Sequence, residues 1–513
     1  MKKRWRRYQP RSWLFWTIYN YTVNIANFEP VNRLSRMDKE KDYFQEDGDL
    51  QDILGRFENM LNQMEAYFFD VHEFERIIDH YLDTNHFIKA IDAVRYGINQ
   101  HPGSTTLLIK EAQVYAEKGE SVKALEMVNA LEMIEESNNE IYMLKGMILN
   151  QLGKVKEAEA AFEKAVDLSY ENLEDILYDI ALSFEYINQY KIALGYLEKA
   201  YERNPKKLNI LYDLAYCYDR LHDFDRSIKY YEIFLDHEPF SENVWYNLGL
   251  LYFKKENFKK AVECYDFAIA INDQYSSAIF NKANAQANLG AYKEAVETYK
   301  ECILLEPENV LAHCYLGESL EKLENYQEAI EWYRKSTEID PSYAEGWYGI
   351  AVCYLFLKLY KDALYYVSKA ISKDEENPDF WFTLGNVHAH LGSHTDAIKA
   401  YARTTELDPY DDEAWLNLAH LYFIQGETGK AISVLKDAYS YTFDISIINF
   451  HLAGYHYIIH KPEQALKFFE KGLKLEYTEY RSVEKISPDL LEDPLYKNLM
   501  EKYIPPQKSG KRN

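Results

Sequence analysis

"AVECYDFAIAIN", residues 261–272, returns as "AVETYKECILLEP" at 295–307 and as "AIEWYRKSTEIDP" at 329–341, each copy 34 residues after the last. Alanine carries the phase in both directions. It stands at 90, 124 and 158, and after one inserted residue at 193. It resumes at 261, 295, 329, 363, 397, 431 and 465, with Ser227 in the one gap. Units counted from residues 71, 105, 139, 174, 208, 242, 276, 310, 344, 378, 412 and 446 give twelve copies.

Within a unit, apolar positions 4, 7, 8 and 11 share one stripe of a first helix, and positions 20, 24 and 27 share one stripe of a second. Position 8 is glycine or alanine in every unit except the first, where Ile78 stands. Small residues at 8 and 20 let the paired helices approach, and larger side chains from 4, 11 and 24 fill around them. Glycine at 119, 153, 290, 392 and 426 occupies position 15, where a positive φ ends the first helix. Proline at 102, 205, 239, 307, 341 and 409 occupies position 32 and stops the second.

These features resemble the tetratricopeptide repeat family over residues 71–479. The unit pattern W-x2-L-G-x2-Y…A-x3-F/Y-x2-A is present as Trp245, Leu248, Gly249, Tyr252, Ala261, Tyr265 and Ala268, with Asp273 in place of the final proline. The units at 71, 105 and 446 are degenerate, with Phe74, Leu108 and Asn449 where tryptophan often stands. The resemblance implies an all-α fold: an α-solenoid, a right-handed superhelix of about twelve helix-turn-helix units with a capping helix at each end.

The flanks complete the organisation. Residues 1–36 form a basic leader, either untranslated, with Met37 as the start, or disordered. Residues 37–70 hold an acidic segment and an N-terminal capping helix, expected over 50–69. Residues 480–504 hold the C-terminal cap, expected as one helix over 488–503 with Leu491, Leu495, Leu499 and Tyr503 on its apolar side. Residues 505–513 read as a disordered tail. With no long linker inside the array, one continuous superhelix is expected.

Net charge is -25. Residues 1–36 contribute eight Lys/Arg against one acid, or +7, which leaves -32 for the rest. Such a body repels phosphate backbones and suits neutral or basic partners, so no nucleic acid is expected. Five cysteines, none in a CxxC pair, make neither a disulfide framework nor a zinc site, and they point to a reducing, cytoplasmic setting. The most apolar stretch, "WLFWTIYNYTVNIANF", is interrupted by Asn20, Asn24 and Asn27 and falls short of the roughly 20 apolar residues a span needs, so no integral membrane span is expected.

No phosphate loop, nucleophile elbow or HExxH occurs, and the flanks are too short for an ordinary catalytic domain, so no catalytic residues, cofactor or metal are expected. His456 and His460 have helical i,i+4 spacing but lack a third ligand, and Gly392 interrupts His388, His390 and His394. The resemblance also implies that positions 2, 5, 6, 9 and 12 face a concave groove. Position 5 holds Tyr178, Tyr212, Tyr246, Phe280, Tyr348 and Phe382. Position 6 holds Asp179, Asp213, Asn247, Asn281, Tyr315 and Asn417, and position 9 holds Asn284 and Asn386. Asparagine is a mediocre helix former whose amide both donates to and accepts from a peptide backbone. The superhelix of O-linked N-acetylglucosamine transferase is similar here, with an asparagine ladder that holds extended peptides. Tyr315, Gly349 and Thr383 interrupt such a ladder in this chain.

The expected function is a non-enzymatic scaffold that binds an extended segment of a partner protein. The alternative is a structural subunit that assembles through its outer faces or ends.

Overall fold

A computed structural model describes residues 43–62, 66–169, 172–441 and 445–503. The leader at 1–36 and the tail at 505–513 lie outside them. Every regular element among the described residues is a helix. The chain divides into two compact units, one up to Leu251 and one from Tyr252.

Helix pairs follow the 34-residue period. First helices begin at Val71, Thr105, Asn139, Leu173, Leu208 and Glu242, and then at Ser276, Val310, Ala344, Pro378, Asp412 and Ile445. All of them end on one device. Position 15 has a left-handed backbone in every repeat, whether or not glycine is there. The five glycines have φ between 72° and 89°, and Asn85, Asn188, His222, Glu256, Glu324, Lys358 and His460 have φ between 54° and 62°. This turn sends the chain back as the second helix. It also corrects one expectation, because His460 lies in the turn and the helix carrying His456 ends at Ile458.

The close crossing is made by position 20. Ala90, Ala124, Ala158, Ala193 and Ser227 in the first unit of the chain are completely buried, as are the seven alanines that follow from Ala261 to Ala465. The hydroxyl of Ser227 donates to the carbonyl of Ala215 at 2.7 Å, so the polar atom is satisfied where an alanine would otherwise sit. Position 8 faces the ring at position 24: a Cβ on Gly146, Gly317 or Gly385 would come within 2.4, 3.0 or 2.6 Å of Phe162, Tyr333 or Tyr401. Position 4 ties neighbouring repeats. The indole N–H groups of Trp245, Trp347, Trp381 and Trp415 donate to the position 32 carbonyls of Pro239, Pro341, Glu375 and Pro409, at 2.8–3.1 Å.

The first cap is the helix Tyr43–Leu61. It packs Ile53, Leu54, Phe57 and Met60 against Phe74, Ile77 and Tyr81. It ends before residue 69, earlier than the sequence indicated. Residues 67–69 are held extended by the second helix of the first repeat: Gln100 donates to the Tyr67 carbonyl at 2.9 Å and accepts from the Phe69 N–H at 3.0 Å, and His101 Nε2 lies 2.7 Å from the Phe69 carbonyl. Asp70 then caps the next helix in a reciprocal box with Glu73.

The second cap is a 3-10 segment, Tyr477–Lys485, followed by two short helices, Pro488–Glu492 and Pro494–Tyr503. The single helix expected over 488–503 is broken at Pro494, which has no N–H to give and holds Asp493 extended. Val483, Leu490 and Tyr496 cover Phe450 and Phe469 of the last repeat.

Candidate interaction face

Positions 5 and 6 meet across repeat boundaries in a fixed register. In the unit up to Leu251, the Tyr178 hydroxyl donates to Asp213 Oδ2 at 2.7 Å, and Asn247 Nδ2 donates to the hydroxyls of Tyr212 at 3.1 Å and Tyr231 at 3.4 Å. In the unit from Tyr252, Phe280 stacks on Tyr315 with centroids 5.9 Å apart, and the Tyr348 hydroxyl lies 3.3 Å from Thr383 Oγ1. Each such pair joins position 5 of one repeat to position 6 of the next. The two rows read separately from the sequence are therefore one seam in each unit.

Position 9 is braced from the second helix of its own repeat. Asn284 Oδ1 accepts from the Tyr299 hydroxyl at 2.6 Å, and Asn386 Oδ1 from the Tyr401 hydroxyl at 2.7 Å. Asn281 donates to the Ser277 carbonyl at 3.0 Å. Gly349, which breaks the polar row at position 6, has a packing reason. Its missing side chain leaves room for the ring of Tyr333, 2.3 Å from where a Cβ would stand.

The fourteen candidates divide by exposure. Asp213, Tyr246, Phe280, Asn281, Asn284 and Tyr315 are buried. Tyr178, Asp179, Tyr212, Asn247, Tyr348, Phe382, Asn386 and Asn417 are half-buried and within reach of a ligand. The Asn417 side chain, on the helix Asp412–Ile424, makes no hydrogen bond among the described residues.

Carboxyl groups accompany the seam. Burial pushes Glu318, Glu345 and Asp379 above the usual carboxylate range, Glu321 up to about 7 and Asp411 up to about 6. For Glu321, burial outweighs Lys322 at 3.8 Å and the Tyr333 hydroxyl at 3.1 Å. Glu318, Glu321 and Glu345 stand at positions 9, 12 and 2, and a reading of those columns in the sequence would have found them. In the earlier repeats, Asp175 is paired with Lys207, whose ammonium sits 5.6 Å from the Tyr178 ring, so the acidity there is partly neutralised. A cleft of about 490 Å³ in the same unit, floored by Val166, Leu173 and Leu177, lies beside the one-residue insertion.

All five cysteines are free and buried, and burial raises the thiols of Cys217, Cys302, Cys314 and Cys353, which disfavours the nucleophilic thiolate. His456 stacks on Phe468 at 5.4 Å and His390 on Tyr360 at 4.7 Å. Among the described residues no group of three side chains is placed to hold a metal ion, and no helix is long and apolar enough to cross a membrane.

Residues 140–172, 242–275, 280–344, 378–421 and 412–444 match models of the tetratricopeptide repeat. The chain thus carries tetratricopeptide repeats. Among solved structures, it resembles MamA at 24% identity, over 31% of this chain and 92% of that one, with a TM-score of 0.29. It also resembles YrrB, described as a TPR protein with an unusual peptide-binding site, at 18% identity over 36% and 94% of the two chains, with a TM-score of 0.31. At these scores the likenesses carry no inference about function. No curated protein matches the sequence.

Proposed function

We propose that this chain is a non-enzymatic scaffold that binds an extended segment of a partner protein along the seam of its first helices. The observation that carries the reading is the repeated link from position 5 to position 6 of the next repeat, seen as Tyr178 with Asp213 and Tyr212 with Asn247. Side chains fixed before binding lose little freedom on contact, which favours affinity. In this reading the eight half-buried candidates touch the partner, and the six buried ones hold them in place. Carboxyls kept short of counter-charge, such as Glu345 and Asp379, favour a neutral or basic segment.

The test replaces Asn247, Tyr348 and Asn417 with alanine together. Affinity capture with mass spectrometry is then compared with the unaltered protein, alongside thermal melting. The expected outcome is loss of specific partners with the melting temperature maintained. Retention of every partner by a folded triple variant would sink the proposal.

A second reading, assembly through outer faces, is favoured by large apolar side chains left open on the surface. Ile88, Met133 and Phe240 in one unit of the chain and Leu304 in the other are each at least three-quarters exposed. Light scattering across a concentration series separates the two, since assembly through these faces raises the apparent mass with concentration.

A further inference from the structure

The two caps are held by different forces. The first, the helix Tyr43–Leu61, is pinned by charge. Arg56 pairs with Glu73 at 2.8 Å, Arg76 with Asp49 at 2.9 Å and Lys89 with Glu58 at 2.6 Å, and Glu58 also accepts from the Tyr81 hydroxyl at 3.2 Å. One buried polar atom of that cap lacks a hydrogen bond, Arg56 Nε, and it lies 3.1 Å from the Asp52 carboxylate.

The second cap, residues 477–503, has no ion pair to the last repeat among the described residues. No backbone hydrogen bond crosses to the helices Ile445–Ile458 and Pro462–Leu475 among them either. Two side-chain bonds do cross. The Tyr503 hydroxyl donates to Glu470 Oε1 at 2.8 Å, and the Tyr457 hydroxyl to Asp493 Oδ2 at 3.4 Å, which is long for such a bond. All four residues are partly open to water, which competes for both bonds. The apolar contact is good. Val483, Leu490 and Tyr496 are buried over Phe450 and Phe469, and a Cβ on Gly454 would meet Val483 and Ile486 at 3.0 Å. Two hydroxyls are buried with it. Tyr496 stands edge-on to Phe469 and Tyr457, with centroids 5.3 and 5.7 Å away, and its hydroxyl has no partner among the described residues. Neither has Ser482 Oγ. An unmet buried hydroxyl disfavours the closed arrangement, because opening lets water satisfy it.

We propose that residues 477–503 are a releasable strap. They open as one unit while the repeats beneath stay folded, and opening bares the Phe450 and Phe469 face that a further repeat would cover. Apolar burial holds the strap shut, few polar ties resist its lifting, and its two unmet hydroxyls favour release. The inference is independent of the seam reading, since it concerns the end of the array and none of the seam residues.

Hydrogen exchange of the full chain at neutral pH, read by mass spectrometry at residue level, tests this. Ile486 and Ser487 donate to the Val483 carbonyl at 2.9 Å, and Tyr496 and Lys497 to the Asp493 carbonyl at 3.1 Å. These four amides should exchange at one common rate, about a hundredfold faster than those of 450–458, while the first cap keeps pace with its own repeat. Tyr496→Phe and Ser482→Ala, which remove the unmet hydroxyls, should each slow the common rate about fivefold, and Tyr503→Phe, which removes a tie, should speed it about fivefold. Rates at 450–458 should stay unchanged in all three. A strap that exchanges as slowly as 450–458 overturns the proposal. So does a gradient of rates that rises toward residue 503, which is fraying of a chain end, or a common rate that neither Tyr496→Phe nor Ser482→Ala slows.

Discussion

At Gly349 one absent methyl decides how two repeats fit. A Cβ there would stand 2.3 Å from Tyr333 Cζ, and the ring is 3% exposed with its hydroxyl bonded to Glu321. The ring has no free direction to move in. Gly349→Ala is expected to cost about 1–3 kcal/mol. Gly195→Ala, where nothing lies within 4 Å of the new carbon, is expected to stabilise its helix by about 0.5–1 kcal/mol. Chemical denaturation of the two variants makes the comparison. From the sequence, Gly349 reads only as a gap in a polar row. Its cause is a tyrosine sixteen residues earlier, whose position relative to the next repeat is a tertiary fact. For the same reason Asn284 and Asn386 read as outward amides, whereas each is taken by a tyrosine of its own repeat.

The turn between paired helices is the element the period imposes most firmly. Five glycines at position 15 are legible as helix ends. The seven other residues there are not, because nothing local about Glu324 or Lys358 calls for a left-handed backbone, and the repeat forces it on them. That conformation costs a side-chain-bearing residue about 1–2 kcal/mol. Lys358→Gly and Glu324→Gly should therefore each stabilise the protein by about 0.5–1 kcal/mol, after the extra freedom glycine gains when unfolded. A higher denaturation midpoint with an unchanged slope is the outcome to look for; a lower midpoint would mean the strain is absent. The caps were less legible than the repeats. Their apolar patterns are real, but Pro494 divides one, and Gln100 and His101 hold residues 67–69 out of the other. Both effects come from single residues that override periodicity.

Across the molecule, the excess of acid hides opposing responses to pH. The Glu321 carboxyl is raised to about 7, so the folded chain holds a proton that the unfolded chain has released, down to the ordinary carboxylate value near 4.3. Its burial therefore works against folding above pH 7, and that penalty is relieved as pH falls. His451, lowered to about 3, does the reverse: its neutral form supports folding above the ordinary histidine value near 6.5, and the support is lost as pH drops. Both lie in the unit from Tyr252, so a single melting curve against pH mixes them. Glu321→Gln separates them. Relative to this variant, the unaltered protein should gain about 1–3 kcal/mol between pH 8 and pH 5, read from paired denaturation curves. An identical pH response in both proteins would refute the assignment. The array itself was legible from spacing alone. The link from position 5 of one repeat to position 6 of the next was not, because the partners lie 35 residues apart in the sequence and meet only when the repeats stack.

The indoles of Trp245, Trp347, Trp381 and Trp415 each grip the backbone of the preceding repeat. Indole emission is sensitive to the loss of such a grip and to the arrival of water. Four separate joints thus carry their own native fluorophore. In versions of the chain that retain one of these tryptophans at a time, light emitted at one wavelength becomes a gauge of whether a single joint is shut.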